Sequence, residues 1–576
     1  MMTRNLTALC ATPLLVCGLS LPAMAQESPA AADLAALVAR YSGAEFDSFD
    51  AFLDAVQEQG VAGVAEARTA VEAGTHGPDQ LKLLARMLGV YNRVVNEDDA
   101  LQLLAELVAI ESHQSADYPE QHENPAFIAM GEKIGATAAA FGLNLRNVDG
   151  RIFEVTLDGP SEDVFGILTH SDVVPVLSRE WQTEGGATID PFQMTVEGNR
   201  IYGRGTLDDK GSIATGLYAM KAIRDSGLPL GRDIRLMIET TEEIGGSAME
   251  YYLEQQPAPD YNIVLDSRYP AVTAEKGPGT ISARFPVVEA FGALVITGLT
   301  GSAAANQIPE TAIAEISADD AAGVARQLND AAPAFIAANG GDFSIGAEAG
   351  DGLVTLTVTG VSAHASQPET GVNPVPRLAA FLLQSGLEPA DNHYLQAIRY
   401  IDGAYGLDYL AGGLGVGYAD DFMGPLTVSP TYFNEADGVL TMAVNLRAPR
   451  HADKDFEAVQ ADIQTALEAW KGSSGSPAEI EVSLRNWMYR DPEGAWLSLL
   501  LEIFGETTGL PSEPTSTAGS TTAKLLPNAV NFGPNMPGDK YLGHTRGEFK
   551  RLDAFQFDLQ MFTEMMARMS NLDSLE

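Results

Sequence analysis

The chain has 576 residues, 45% of them apolar and 20% charged, which suits two to four packed domains and excludes a disordered chain. Lys and Arg number 35 against 78 Asp and Glu, a formal net charge of -43. A surface of that sign repels nucleic acid and anionic membranes, and a small anionic substrate needs a local basic patch to be held against it.

Residues 1–25 read as an export signal. Arg4 supplies the positive start, residues 6–21 are mostly apolar, and Ala23-Met24-Ala25 ends in the small-x-small cleavage pattern. An exported, periplasmic protein beginning near Gln26 is therefore expected, with no membrane anchor. The rivals are an uncleaved anchor and a lipid anchor at Cys17. Pro13 and Gly18 break the apolar run against the first, and Val16 is bulky for the residue before a lipidated cysteine. Both cysteines, Cys10 and Cys17, fall within the signal, so the mature chain has no disulfide framework. No later stretch reads as a transmembrane helix.

Residues 26–98 form a helical extension. Leu34, Leu37 and Val38, then Phe52, Leu53 and Val56, then Leu81, Leu84 and Leu88 recur at helical spacing. No chemistry-bearing motif falls here, and the segment reads as packing on or beside the main body.

Residues 99–278 alternate helices with short apolar runs. Helices are predicted over 101–110, 125–141 and 215–223, and Pro125 is tolerable in a first turn. Strands are predicted over 164–168, 234–238 and 263–265. This is an α/β pattern, in which ligands gather beyond the carboxyl ends of the strands. Residues 279–490 differ. Alternating runs at 352–358 and 441–446 indicate sheet with one solvated face, and a helix over 321–332 lies between them. This reads as an inserted α+β domain. Residues 491–576, with helices over 496–508 and 553–570 and a strand over 529–532, complete the first α/β domain.

His170, Glu242 and Asp266 each follow a predicted strand. His170 and Asp172, two apart on extended backbone, point the same way; the imidazole can bind a metal while the carboxylate holds its other ring N–H. A loop histidine without metal fits that pair as well. Asp208, in a polar turn between Gly205 and Gly211, suits a bridge between two cations or an acidic helix start. Glu242 and Glu243 are stronger, because adjacent carboxylates at a strand end repel unless a cation or shared proton relieves them. A solvated acidic loop is the bland alternative. Asp266 and His544 complete an inventory of two histidines and three acidic ligands, with one carboxylate left as a base. Mixed nitrogen and oxygen ligation suits two zinc ions, with manganese or cobalt as substitutes.

In order and spacing these motifs, from His170-Ser171-Asp172 through Gly205-Thr206-Leu207-Asp208-Asp209-Lys210-Gly211 and Thr241-Glu242-Glu243 to Asp266 and His544, resemble the aminoacylase–carnosinase family of di-zinc metallopeptidases. Within it, the bacterial carnosinase-like dipeptidases are most similar. The resemblance covers residues 98–576 and implies a mixed-sheet catalytic domain carrying an inserted lid. It implies that His170 and Asp266 bind one metal, Glu243 and His544 the other, that Asp208 bridges them, and that the peptide bond from Asp208 to Asp209 is cis. Asp172 orients His170, and Glu242 is the general base. It further implies that His364 and Asn306 of the lid face the oxyanion and that Arg447 clamps the substrate carboxylate. Gly519 belongs to a loop that receives that carboxylate, but Ala518 and Lys524 stand where the family tends to have glycine and arginine. Aspartate at 266 leans toward dipeptides or short peptides with a free amino terminus. The alternatives are an N-acyl-amino-acid amidohydrolase, a carboxypeptidase of the same clan, or a binding module without activity. An insertion this long resembles the enlarged lid of monomeric members.

Overall fold

The computed structural model describes residues 29–572 except 162, 177, 303, 492 and 493. The export signal lies outside the described residues. Among them, no helix is long and apolar enough to cross a membrane.

A nine-stranded mixed sheet, counted among the described residues, forms the catalytic layer. At its centre Val164–His170 lies between Asp233–Glu239 and Tyr261–Val264, parallel to both. Ala529–Asn531 adds a fourth parallel strand beside Tyr261–Val264. Antiparallel strands flank this centre: Ile152–Leu157 and Asn144–Val148 on one side, Val272–Glu275 and Met488–Tyr489 on the other. The strand period of two sorts the side chains. Phe165, Ile167, Leu236 and Ile238 enter one core, while Leu168 and Met237 enter the other with Met249 and Tyr252 of the helix Ser247–Gln255. Both faces are thus covered, as a sheet with a parallel centre requires.

The helices Lys210–Ser226 and Leu552–Met569 cover the first face. The amino-terminal helices form a further layer over them. Phe52, Leu53, Val56, Leu84 and Leu88 share one apolar core with Leu217, Phe555 and Phe562. The closest approach is at Gly89, in the helix Pro78–Val95. A Cβ there would sit 2.6 Å from the carbonyl oxygen of Gln560. Asn92 and Arg93 then fasten the crossing, the first to the Thr563 hydroxyl at 2.8 Å and the second to the Gln560 and Gln556 side chains at 3.1 Å.

The insertion holds two four-stranded antiparallel sheets. Gly277–Pro286 pairs with Val439–Ala448 and Glu479–Leu484, and Thr427–Ala436 completes the first. Leu294–Thr300, Thr311–Ala318, Leu353–Thr359 and Ser344–Ala349 make the second. Both contribute to one core of their own. The helix expected to stop at 332 runs over Ala321–Asn339 with Pro333 inside it. An interior proline costs about 3 kcal/mol. Burial of Leu328, Ala332 and Phe335 against the lid sheet offsets that cost.

The substitution Gly89→Leu is expected to destabilise the protein by about 1–3 kcal/mol, the usual penalty for overpacking, although leucine is the better helix former. Thermal unfolding checks this. A midpoint equal to or above the parent's would show that the two helices part without cost.

Candidate active site

The central strands end at one edge of the sheet, and the acidic and imidazole groups collect there. His170 is the last residue of its strand and is 1% exposed. Its Nε2 lies 3.0 Å from Asp208 Oδ1 and 3.7 Å from Asp266 Oδ1. His544 closes the other side, with Nε2 3.1 Å from Asp208 Oδ2 and 2.8 Å from Glu243 Oε2. Asp208 therefore stands between the two imidazoles. Its peptide bond to Asp209 is cis. The expected metal ligands His170, Asp208, Glu243, Asp266 and His544 all come together, and Glu242 joins Asp208, Glu243, Asp266 and His544 in lining one cavity.

Asp172 stays beside His170, as expected, but its closer contacts are others. The ring nitrogen Nδ1 of His170 meets the Asp172 backbone oxygen at 2.9 Å, while the nearest carboxylate oxygen is 3.4 Å away. The carboxylate oxygens instead accept the backbone N–H of Glu242 at 3.2 Å and of Glu243 at 3.0 Å. Those two amides begin the short helical turn Glu242–Ile244 and have no partner within it, so a carboxylate is the natural acceptor.

Sequence reasoning missed three groups that shape the site. Glu548 is fully buried and pairs with Arg204 at 2.6 Å. Its other oxygen accepts the N–H groups of Gly205, Leu207 and Asp208 at 3.0–3.2 Å. The loop that presents Asp208 is thereby fixed. Glu548 is 340 residues from Asp208 in the chain, and no local pattern marks it. Tyr541 donates its hydroxyl to Asp208 Oδ2. Gly543 leaves the room needed, since a Cβ there would lie 2.7 Å from Asp208 Oδ2. Ser366 orients the lid histidine.

The lid reaches the same cavity. Asn306 precedes a two-residue ribbon in which Gln307 pairs with His364, and its carbonyl accepts from Ala365 at 2.8 Å. Ser366 N–H donates to His364 Nδ1 at 3.2 Å, which leaves the ring proton on Nε2. The His364 ring is open to the cavity yet enclosed by protein. Burial first, then Arg447 and His544, push it down to about 4. It is neutral at neutral pH and a hydrogen-bond donor. Arg447 lines the cavity; its Nε donates to Asn445 at 3.2 Å, and among the described residues nothing engages its terminal nitrogens. Burial, opposed by Glu275, brings it down to about 10, so it remains charged.

The 517–524 loop is more committed than expected. Gly519 lines the cavity, but its N–H donates to Thr517 Oγ1 at 3.0 Å. The Thr521 N–H goes to the buried Glu275 at 3.0 Å. Lys524 holds Ser520 Oγ at 2.7 Å and the Thr521 carbonyl at 2.8 Å, behind the cavity wall. Lys524 thus braces this loop.

The cavity measures about 330 Å³, at the low end for small-ligand sites. Its acids are crowded. Burial, then Asp266 and Glu243, hold Glu242 well above the usual carboxylate range, and burial with Asp208 lifts Glu243 to about 7. The Asp208 and Glu243 carboxylates, working against burial, raise His544 to about 11. Glu243 Oε1 is buried without a hydrogen-bond partner. Two sets of ligand atoms lie within 4.8 Å of one another: His170, Asp208 and Glu243, and His170, Asp209 and Asp266. The Asp209 carboxylate is already held by the Thr169 and Ser212 hydroxyls. Divalent cations would relieve the repulsion and fill the open valence of Glu243, so this donor set fits a two-metal centre.

Comparison with known proteins agrees with that chemistry. Residues 166–568 match peptidase family M20/M25/M40. The Beta-Ala-Xaa dipeptidase of Lactobacillus delbrueckii subsp. lactis is 28% identical over 496 residues, covering 83% of this chain and 97% of its own. The putative dipeptidase YtjP of Bacillus subtilis is 26% identical, covering 74% of this chain and 86% of its own. Among solved structures, the di-peptidase Dug1p of Saccharomyces cerevisiae superposes with a TM-score of 0.51 at 12% identity, over 85% of this chain and 99% of that one. At that identity the likeness is one of fold.

The substitution Glu548→Gln removes the charge that pairs with Arg204 and loosens the Asp208 loop. Zinc affinity is expected to fall about 10- to 100-fold, the usual effect of losing an outer-shell partner. Titration against a chelating indicator reads it. Unchanged affinity would show that the loop holds its shape without this carboxylate.

Proposed function

The chain belongs to peptidase family M20/M25/M40 and is a metallopeptidase; from that premise we propose that it is a two-zinc dipeptidase acting on short peptides with a free amino terminus. One observation carries the reading. A single cavity joins the His–carboxylate cluster to His364, Asn306 and Arg447 of the lid. Aspartate at 266 and the dipeptidases among the relatives support the choice of substrate.

His170 and Asp266 would hold one ion, Glu243 and His544 the other, with Asp208 shared. Bound there, two divalent ions supply polarisation of the scissile carbonyl and a more acidic attacking water. The remaining work falls to the protein's own groups. Glu242, which accepts no contact from either imidazole, takes the proton from the attacking water and passes it to the departing amine. The neutral His364 offers Nε2–H to the oxyanion, with Asn306 beside it. Arg447 receives the carboxy-terminal carboxylate through its free nitrogens. All of these groups come from one chain, so the reading is of an enzyme active as a monomer.

The reading is checked by comparing Ala-Ala with N-acetyl-alanine at equal zinc loading. Fast turnover of the acylated amino acid alone would reassign the enzyme as an amidohydrolase. Glu242→Gln is expected to keep both metals and lose about 100- to 10,000-fold in rate; loss of zinc would make Glu242 a ligand instead. His364→Ala is expected to lose about 100- to 1,000-fold with metal content intact. Mixing these two inactive variants should restore nothing, whereas recovered activity would show that His364 works across a subunit boundary.

A further inference from the structure

One cation in the cavity has no role in the chemistry above. Arg268 follows Asp266 by two residues, and Ser267–Arg268 runs parallel to Pro534–Asn535 as a short ribbon that fixes it in the cavity wall. It is half-buried. Among the described residues, no hydrogen bond or ion pair engages its guanidinium. The chain has 78 acidic residues, yet among the described residues none pairs with Arg268. A guanidinium withdrawn from water without a partner is costly, and it is well shaped to receive a carboxylate through two parallel hydrogen bonds.

The other free guanidinium of the cavity is on a different wall. Arg447 comes from the lid strand Val439–Ala448 and faces Glu275, whereas Arg268 comes from the catalytic layer, beside the Tyr541 that reaches Asp208. In the dipeptidase reading, a peptide held at its terminal carboxylate by Arg447, with its carbonyl at the His–carboxylate cluster, would have its amino-terminal residue on the side away from Arg447, where Arg268 lines the wall. We propose that Arg268 is a specificity-determining residue that selects substrates whose amino-terminal residue carries a side-chain carboxylate, that is, aspartyl and glutamyl dipeptides. This rests on the dipeptidase reading. A competing role, neutralising the acidic cluster, is disfavoured because, among the described residues, no carboxylate lies within ion-pair distance of Arg268.

The test compares kcat/KM for Glu-Ala, Asp-Ala, Ala-Ala, Lys-Ala and Ala-Glu on the full chain loaded with zinc. Glu-Ala or Asp-Ala should exceed Ala-Ala by about tenfold or more, as one charge-assisted pair allows. The substitution Arg268→Gln should bring that ratio close to one, and Arg268→Glu should turn the preference toward Lys-Ala. Ratios are read within each variant, so a general loss of folded protein does not mimic the effect. An unchanged ratio in Arg268→Gln, a wild-type preference for Lys-Ala, or a gain confined to Ala-Glu would each overturn the proposal. Turnover of Ala-Ala without acidic preference would sink this inference alone. Failure to cleave any dipeptide would sink the dipeptidase reading and the inference together.

Discussion

Repulsion among buried carboxylates is the constraint on which the site depends. Asp208, Glu242, Glu243 and Asp266 converge at one sheet edge, and their own charges oppose the convergence. The backbone holds them together. Asp172 pins the amides of Glu242 and Glu243, and Glu548 pins those of Gly205, Leu207 and Asp208. A second ring of acids thus fixes the first, and each of its members is satisfied by N–H groups or an arginine. These outer carboxylates are spent on N–H groups and an arginine, while Glu243 Oε1 of the inner ring is buried without a partner. That division separates groups that position from groups that bind.

The lid answers a different demand. It has its own apolar core, so its sheets need not deform to place His364. The ribbon of Gln307 and His364 sets the backbone, and Ser366 sets the tautomer. A neutral imidazole suits this place. A charged one would repel the cations that the acidic cluster invites, and Arg447 with His544 already disfavours it. His364 is therefore a donor without a charge, and Arg447, the one charged lid residue among those lining the cavity, stands where a carboxylate can meet it.

Asp208 was legible from the motif around it, and Glu242, Glu243 and Asp266 because they follow a strand closely, the pattern of 234–238 being strong by itself. The mixed sheet, the inserted α+β domain and the helical start were legible for the same reason. The outer ring was not. Glu548 acts on a loop that precedes it by hundreds of residues, and a buried glutamate near a histidine has no signature. Asp172 was read as a partner of the imidazole, and its carboxylate does lie 3.4 Å from His170 Nδ1, but its hold on the amides of the next turn has no local signature. The helix through Pro333 defied a local rule because tertiary burial outweighed it. The amino-terminal helices looked like an appendage, since their apolar faces acquire meaning only against Leu552–Met569, the last helix of the chain.

A net charge of -43 and a cavity with two unpaired guanidinium groups belong to one argument. The global field discourages anions from approaching, but at physiological ionic strength it decays over about 8 Å. What decides binding is the potential inside the cavity, where screening is weak. Metal ions would cancel much of the inner acid ring, and Arg268 and Arg447 would then dominate the walls. A zwitterionic dipeptide has one carboxylate for two such sites. A dipeptide with an acidic amino-terminal side chain has two, at opposite ends of the bond to be cut.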